Sequence, residues 1–473
     1  MPESFARSES HTAPSSIHGE VAPALDLVRI INSCKLGSLQ IGVVALCACV
    51  VTLDGFDVQT ITYVAPALAK TLGIERSMLG PVFSAGLLGT TLGAFAFGAL
   101  ADRFGRKTVF IACLGLFAAC TLATAGVSSL RELLFLRFVA GLGLGGVTPI
   151  AIALSSEYCP RSSRETLVML MYCGFSVGAA GGGFISAYLI PAFGWRSVFV
   201  VGGALPLALS PLLVWRLPES IRYLVARGQQ SLEVRRIVSR LDPSLSIGPE
   251  TRFFVSEEHS EGSPIGNLFA EGRAVKTMLL WLMFFSNLVA LYFLINWFPT
   301  LMASAGLSLR QAVVASALIQ IGSLIGTLTL AIVVRRIGAF EMVAAGFFFG
   351  AASIALLAFA QTDATFTMIG AFVAGFFVIG TQTAANALAA LLYPTTMRST
   401  GIGWALGVGR TGSILGPLIG GALLSLHWSS TGLFVVASVP ALVAACSALQ
   451  LSRRLNREGQ SVGALLKTRP DWL

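Results

Sequence analysis

The stretch "GALADRFGRKTV", residues 98–109, places a cluster of charged side chains between two apolar runs. The run before it covers residues 78–101 and the run after it covers residues 107–127. Each is long enough to cross a hydrocarbon core of about 30 Å as a helix. The charges between them are Asp102, Arg103, Arg106 and Lys107. The sequence therefore predicts two transmembrane helices joined by a tight polar loop, with Gly98 ending the first of them.

The composition of the whole chain is that of a protein that crosses a membrane many times. Hydrophobic residues make up 55% of its 473 residues and charged residues 12%, whereas a soluble domain carries about 25% charged residues. Twelve apolar runs are long enough to span a bilayer. They cover residues 39–64, 78–101, 107–127, 130–155, 166–191, 196–217, 277–302, 311–334, 338–360, 365–392, 400–425 and 429–451. The predicted fold class is an all-α integral membrane protein.

Two sets of six runs, separated by a polar stretch, predict two pseudo-symmetric six-helix bundles. Each set contains a tyrosine–proline–arginine pattern, "EYCPRSSRE" in the first and "LLYPTTMRS" in the second. A helix with a glycine at every fourth position follows each pattern. Such internal repetition is typical of transporters. The predicted segments are a disordered N-terminal tail (1–36), two bundles (37–217 and 277–452), a central linker (218–276) and a C-terminal tail (453–473).

Arginine and lysine side chains predict the orientation of the chain in the membrane. They concentrate in alternate loops, at 103–107, 161–164 and 335–336, and again in the C-terminal tail. Since cytoplasmic loops carry the excess of positive charge, both termini are predicted to be cytoplasmic. We expect a multi-pass protein of a bacterial inner membrane. These loops account for the net charge of +9, so nucleic acid is not an expected partner.

The side chains give no grounds for an enzyme or a metal site. All 4 histidines lie outside the apolar runs, no two cysteines form a CxxC pair, and no catalytic triad is present. The patterns "GLGLGG" (141–146) and "GFSVG" (174–178) match nucleotide-binding and hydrolase motifs, but both fall inside apolar runs. Their glycines are interpreted as helix contacts. We therefore predict neither a cofactor nor catalysis.

Two aspartates inside the first apolar run predict a proton site. Asp54 and Asp57 are three residues apart and share one helix face. That face must look into the bundle, because an exposed carboxylate at the centre of a bilayer costs about 2.5–3.5 kcal/mol. A desolvated pair of this kind can take up and release a proton. Arg137 lies about 10 Å deep in the fourth run, so we expect it to pair with Asp54.

Arg410 is predicted to bind the acidic group of a substrate. It lies about 15 Å from the cytoplasmic end of the eleventh run, and the second half offers no obvious acid to pair with it. An unpaired guanidinium suits a bidentate contact with an anion. A partner that the sequence does not reveal, or a side chain that snorkels to the membrane edge, is the alternative. Arg398 lies nearer that edge, where a role in topology is an equal alternative.

Polar side chains on three of the later runs are candidates for lining a cavity. Tyr292 and Asn296 stand one helical turn apart on the seventh run, and the tyrosine ring can stack on an aromatic substrate. Packing between helices is the alternative interpretation for each. The remaining candidates are Asn287, Trp297, Gln320, Gln382 and Asn386.

The charged loop between the second and third runs is also a candidate gate. One acid and three bases, with Asp102, Arg103 and Arg106 as the main candidates, can cap helix ends and pair across the interface between the halves. Glu157, at the start of the loop after the fourth run, is either part of this gate or a solvated acid. The second-half counterpart "AIVVRRIGAF" (331–340) lacks the aspartate. The alternative is that these charges set topology alone.

Several stretches resemble those of known transporters. "GALADRFGRKTV" resembles the signature loop of the major facilitator superfamily, and "PESIRYL" (218–224) is similar to a motif that closes the sixth helix in several of its families. "LDGFDVQ" (53–59) and "FLRFVAGLGLGG" (135–146) resemble the aromatic acid:proton symporter family of that superfamily, over about Gly37 to Leu451. The resemblance implies transport roles for Asp54, Asp57, Arg137, Arg398 and Arg410.

The resemblance implies a proton-coupled symporter that imports an aromatic carboxylate, such as a hydroxybenzoate, by alternating access. The expected partners are the carboxylate, protons and the lipid bilayer, and the expected state is a monomer. The sequence leaves open a carrier for another organic anion or a sugar-like solute, an exporter, and a sensor that binds solute without transporting it.

Overall fold

The computed structural model describes residues 24–227, 232–242, 245, 248, 251–254, 265–270, 272–333, 339–360, 363–393 and 397–457. Most of both predicted tails lies outside the described residues, as do Arg335, Arg336 and Pro394.

The described part of the chain is almost entirely helical. Its helices are α1 (Leu27–Ser33), α2 (Ser38–Leu72), α3 (Leu79–Phe104), α4 (Arg106–Thr124), α5 (Leu130–Tyr158), α6 (Arg161–Phe193), α7 (Arg196–Arg216), α8 (Ile221–Ala226), α9 (Leu232–Leu241), α10 (Ala274–Ser304), α11 (Leu309–Val333), α12 (Ala339–Leu357), α13 (Ala364–Ala374), α14 (Gly380–Leu392), α15 (Arg398–Ser425) and α16 (Ser430–Arg457). A π-helical turn, Gly375–Ile379, joins α13 to α14. With those two counted as one helix, the described residues form twelve long helices.

Among the described residues, 11 of these helices are long and apolar enough to cross a membrane. The other long helix, α15, has 28 residues, but eight of them are glycine and one is Arg410, which lowers its apolar content. It nevertheless packs lengthwise against α10 and also contacts α3. The prediction of an all-α membrane protein with twelve transmembrane helices is confirmed. Below, α2–α7 are called the first half and α10–α16 the second half.

The turn between α3 and α4 is shorter than predicted. Helix α3 does not end at Gly98 but continues to Phe104, so Asp102 and Arg103 belong to its last turn. A glycine inside an apolar run weakens a helix by about 1 kcal/mol without ending it. The turn is made at Gly105, whose φ of 99° is a conformation that other residues rarely adopt.

The two predicted glycine faces form close helix contacts in each half. A Cβ atom at Gly178 of α6 would lie 1.8 Å from the carbonyl oxygen of Thr52 in α2. In the second half, a Cβ atom at Gly420 of α15 would lie 2.2 Å from the indole nitrogen of Trp297 in α10. Only glycine permits either approach. The fifth long helix of each half therefore packs on the first in the same way, as an internal repeat predicts.

A small layer of structure covers one end of the first half. β1 (Ala24–Asp26) pairs in parallel with β2 (Arg252–Phe254), and the apolar faces of α1, α8 and α9 share one core with the ends of the long helices. The prediction of a disordered tail is wrong for residues 24–33. The physical reason is that α1 buries an apolar stripe, formed by Leu27, Ile30 and Ile31.

The two halves touch at one end of the molecule and separate at the other. At the far end, which carries the loops after α2 and α10, buried side chains of both halves form one core. The Phe83 and Trp297 rings, for example, meet edge to face there at 5.5 Å. At the near end, which carries the loops after α3 and α5, each half has a core of its own. The space between the halves therefore opens toward the near end.

Hydrogen bonds also join the halves at the far end. Thr62 donates to Asn296 at 3.2 Å, Arg76 donates to Ser304 at 2.7 Å, and Ser84 donates to the carbonyl oxygen of Ile414 at 2.8 Å. These bonds and the shared core close the far end in this conformation.

Candidate functional site

A cavity of about 430 Å³ lies between the halves, at mid-height of the helices. This volume is within the range of small-molecule sites, about 300–1,000 Å³. The wall contains most of the side chains that the sequence singles out. Those that line it are Asp57, Arg137, Tyr292, Asn296, Gln320, Gln382, Asn386 and Arg410.

Asp57 forms the ion pair of the first half. Its carboxylate lies 3.7 Å from the Arg137 guanidinium (Oδ2 to Nη1), and both residues are at least 96% buried. The Thr121 hydroxyl donates to Asp57 Oδ1 at 2.5 Å. Arg137 in turn donates to Thr124 at 2.9 Å, and its guanidinium lies over the Phe199 ring, 5.1 Å from the centroid. The pair is therefore held by neighbours on both sides.

The expected pairing of Arg137 with Asp54 is wrong. Asp54 is buried but accepts a hydrogen bond from Thr148, at 2.8 Å, and does not line the cavity. Helices α2 and α5 run antiparallel, so residues further along α2 meet residues nearer the start of α5. Thr148 lies eleven residues after Arg137, which places it about 16 Å further along α5, toward the near end. Asp57, one turn further toward the far end, is the aspartate that Arg137 reaches.

Arg410 faces the cavity from α15, and more than a third of its surface is exposed there. Among the described residues, no carboxylate oxygen lies within 4 Å of its guanidinium, so the expectation of an unpaired cation holds for this part of the chain. Tyr172 and Tyr292 line the same wall and lie close enough to interact with it electrostatically. The arrangement offers a cation flanked by aromatic rings, which suits an aromatic anion.

Arg398 does not reach this cavity. It is the first residue of α15, twelve residues and about 18 Å along the helix from Arg410. Trp297 is also absent from the wall, because its indole nitrogen donates to the carbonyl oxygen of Pro417 at 3.0 Å inside the far-end core. Asn287 lies behind the wall, where it donates to Gln382 at 2.7 Å.

The charged loop after α3 belongs to a network within the near end of the first half. Arg106 forms an ion pair with Glu157 and a longer one, of 3.6 Å, with Asp102. The Ser220 hydroxyl donates to Glu157 at 2.5 Å. The backbone carbonyl of Arg103 accepts a hydrogen bond from the Tyr223 hydroxyl at 3.3 Å.

Glu157 is only 4% exposed, so its interpretation as a solvated acid is wrong. The "PESIRYL" stretch supplies both Ser220 and Tyr223 to this network. The signature loop and this stretch therefore join α3, α4, α5 and α8 to one another within a single half.

Comparison with known proteins agrees with this architecture. The family model described as "Major Facilitator Superfamily" matches residues 47–366 and 280–467. The chain belongs to the major facilitator superfamily. Members of this superfamily are membrane transporters rather than enzymes, and this chain is a multi-pass membrane transporter.

Several characterised members are similar over nearly their whole length. The chain is 40% identical to the 4-hydroxybenzoate transporter PcaK of Pseudomonas aeruginosa, over 90% of this chain and 95% of that protein. It is 38% identical to a gallate transporter of Pseudomonas putida, over 90% and 94%. A solved major facilitator structure, a bacterial homologue of the lysosomal transporter Spinster in an inward-facing conformation, has the same fold at a TM-score of 0.69 and 18% identity, covering 90% of this chain and 99% of that one.

Several site residues escaped the sequence reasoning, among them Tyr172 in the cavity wall. Thr121 and Thr148 bind the two aspartates, but threonine is common in apolar helices and carries no distinguishing pattern. Gln59 lines the cavity two residues after Asp57. Gln59 could have been predicted from the sequence, because it is a polar side chain in the same apolar run as Asp57. In the structure it is 3% exposed.

Proposed function

We propose that this transporter imports an aromatic carboxylate, such as a hydroxybenzoate, together with protons. The observation that carries the proposal is Arg410, a cation at the cavity wall with no carboxylate partner among the described residues. The ring of the substrate packs against Tyr172 and Tyr292. The relatives named for 4-hydroxybenzoate and gallate transport support this class of substrate.

Asp54 and Asp57 have different roles in proton coupling. Asp57 remains ionised because Arg137 and Thr121 stabilise its charge. Asp54 has no cation within 4 Å among the described residues, and a lone buried carboxylate is much less stable than a neutral one. Asp54 therefore carries the proton in this conformation. One proton per substrate monoanion makes the transport step electrically neutral.

The near end is the cytoplasmic end, as the arginine-rich loops indicate, and the protein acts as a monomer in the bacterial inner membrane. This conformation then faces inward, with the far end closed toward the outside. Import requires the far-end contacts, such as Thr62 with Asn296, to separate and the near end to close. The network of Asp102, Arg106 and Glu157 keeps the near end of the first half rigid during that exchange.

Uptake by bacterial cells that express the chain tests the proposal. The panel is radiolabelled benzoate, 4-hydroxybenzoate, gallate and xylose, each with and without a protonophore. We expect aromatic acids to accumulate and xylose to be excluded, and the protonophore to abolish accumulation. Arg410→Ala is expected to abolish it at equal expression. Uptake of xylose alone would favour a sugar carrier, and aromatic acid levels below those of control cells would indicate export.

A further inference from the structure

Two buried glutamines face one another across the cavity without hydrogen-bond partners. Gln59 projects from α2 in the first half and Gln320 from α11 in the second, and each is 3% exposed. Both line the cavity, and both also border a second, very small cleft beside Tyr63 and Ile295. Among the described residues, neither side-chain amide makes a hydrogen bond, and Gln59 Oε1 is buried without any partner. A buried amide left unpaired is costly, so a partner is expected when the site is filled.

The other amides of the cavity do not share this property. Gln382 accepts from Asn287 at 2.7 Å and donates to Asn386 at 2.9 Å. Asn296 donates to the carbonyl oxygen of Tyr292 at 2.7 Å and accepts from Thr62. Because these side chains already bind protein groups, Gln59 and Gln320 are the amides most available to a substrate.

The glutamines lie at a different height from Arg410. The indole of Trp297 donates a hydrogen bond to Pro417, and its neighbour Asn296 accepts one from Thr62. Pro417 of α15 and Thr62 of α2 therefore lie at about the same height along the bundle, near the far end. Arg410 precedes Pro417 by seven residues, which places it about 10 Å below that level.

Gln59 precedes Thr62 by three residues and so lies about 4.5 Å below the same level. The axial offset between the backbone positions of Arg410 and Gln59 is thus about 6 Å. That offset is comparable to the length of a benzene ring with substituents at opposite positions.

We propose that Gln59 and Gln320 bind a ring hydroxyl of the substrate, at the position para to its carboxylate. The inference rests on the proposed function, in which Arg410 binds the carboxylate. A phenolic hydroxyl donates one hydrogen bond and accepts others, and two amides supply both an acceptor and a donor. The hydroxyl then contacts both halves at once, and the site selects hydroxylated aromatic acids over unsubstituted ones.

Binding of matched acids to the purified full-length protein tests this inference. Calorimetry in detergent compares 4-hydroxybenzoate with benzoate and with 4-methoxybenzoate, which cannot donate. The wild-type protein is expected to bind 4-hydroxybenzoate at least about 10-fold more tightly than benzoate. Gln59→Leu and Gln320→Leu should each weaken 4-hydroxybenzoate binding by about 3- to 10-fold and change benzoate binding by less than about twofold.

Gln311→Leu is the matched control, since Gln311 lies on α11, like Gln320, but outside the cavity. Its side chain accepts a hydrogen bond from the Ser308 hydroxyl. It should leave the preference between the acids unchanged. Equal affinity of the wild-type protein for benzoate and 4-hydroxybenzoate would overturn the inference, even if the leucine variants do not fold. Equal losses for both acids in the variants would do the same. Both results leave the proposed function standing, whereas binding of none of the acids refutes that function.

Discussion

Replacing each aspartate of α2 by asparagine separates the paired carboxylate from the unpaired one. Asp57→Asn removes the negative charge beside Arg137, which keeps the Thr121 and Thr124 hydroxyls and the Phe199 face. Breaking a buried ion pair on one side costs about 3–5 kcal/mol, and these remaining neighbours favour the lower end of that range. Asp54→Asn removes no ion pair and retains an acceptor for Thr148, so its cost should stay below about 1 kcal/mol.

The partner substitution completes the test. Arg137→Gln leaves the Asp57 carboxylate with one hydroxyl donor, Thr121, and should cost at least as much as Asp57→Asn. The double variant leaves no buried charge and should recover most of the loss, since neutral replacements of buried pairs are often close to neutral in stability. Equilibrium unfolding in mixed detergent micelles gives the four free energies. Additive losses in the double variant, or a loss in Asp54→Asn as large as in Asp57→Asn, would refute the assignment of the pair.

Three further predictions concern the cavity and the packing around it. Arg410→Lys should fold but bind an aromatic acid at least about 10-fold more weakly, because lysine lacks the planar two-pronged donor; unchanged affinity by calorimetry would exclude Arg410 as the anchor. Gly178→Ala should lower the melting temperature markedly, because the added methyl group would clash with α2. Gly181→Ala is the control and should not lower it, because its methyl group would meet no atom within 4 Å. Equal effects would contradict the close contact between α6 and α2. Cys173 lines the cavity, so in a variant that retains it as the single cysteine, an impermeant thiol reagent should label it from the cytoplasmic side. Faster labelling from the outside would contradict an inward-facing resting state.

The helices and the place of Arg410 in the cavity wall follow from local features of the sequence. Apolar run length fixes where a helix can cross the bilayer, so the predicted and observed helices agree to within about ten residues at each end. Arg410 stood out because a guanidinium near the midplane of an apolar run needs a reason to be there. The helix α1 was missed although Leu27, Ile30 and Ile31 follow a helical spacing, because the residues before it are polar.

The partner of Arg137 did not follow from the sequence. Asp54 and Asp57 are one turn apart on one face, so a helical wheel treats them as equivalent. The choice between them depends on the relative height of α2 and α5, which is set by tertiary packing rather than by local sequence. The same applies to Gln59 and Gln320, whose meeting across the cavity depends on how the two halves dock.

Uptake by proteoliposomes tests the coupling of aromatic acid transport to protons most directly. The purified chain is reconstituted, and accumulation of radiolabelled 4-hydroxybenzoate is followed with the lumen more alkaline than the medium, with no pH difference, and with a protonophore. The account predicts accumulation above the level in protein-free liposomes in the first condition alone, and its loss in Asp54→Asn. Equal uptake with and without the pH difference, or full accumulation by Asp54→Asn, would contradict it.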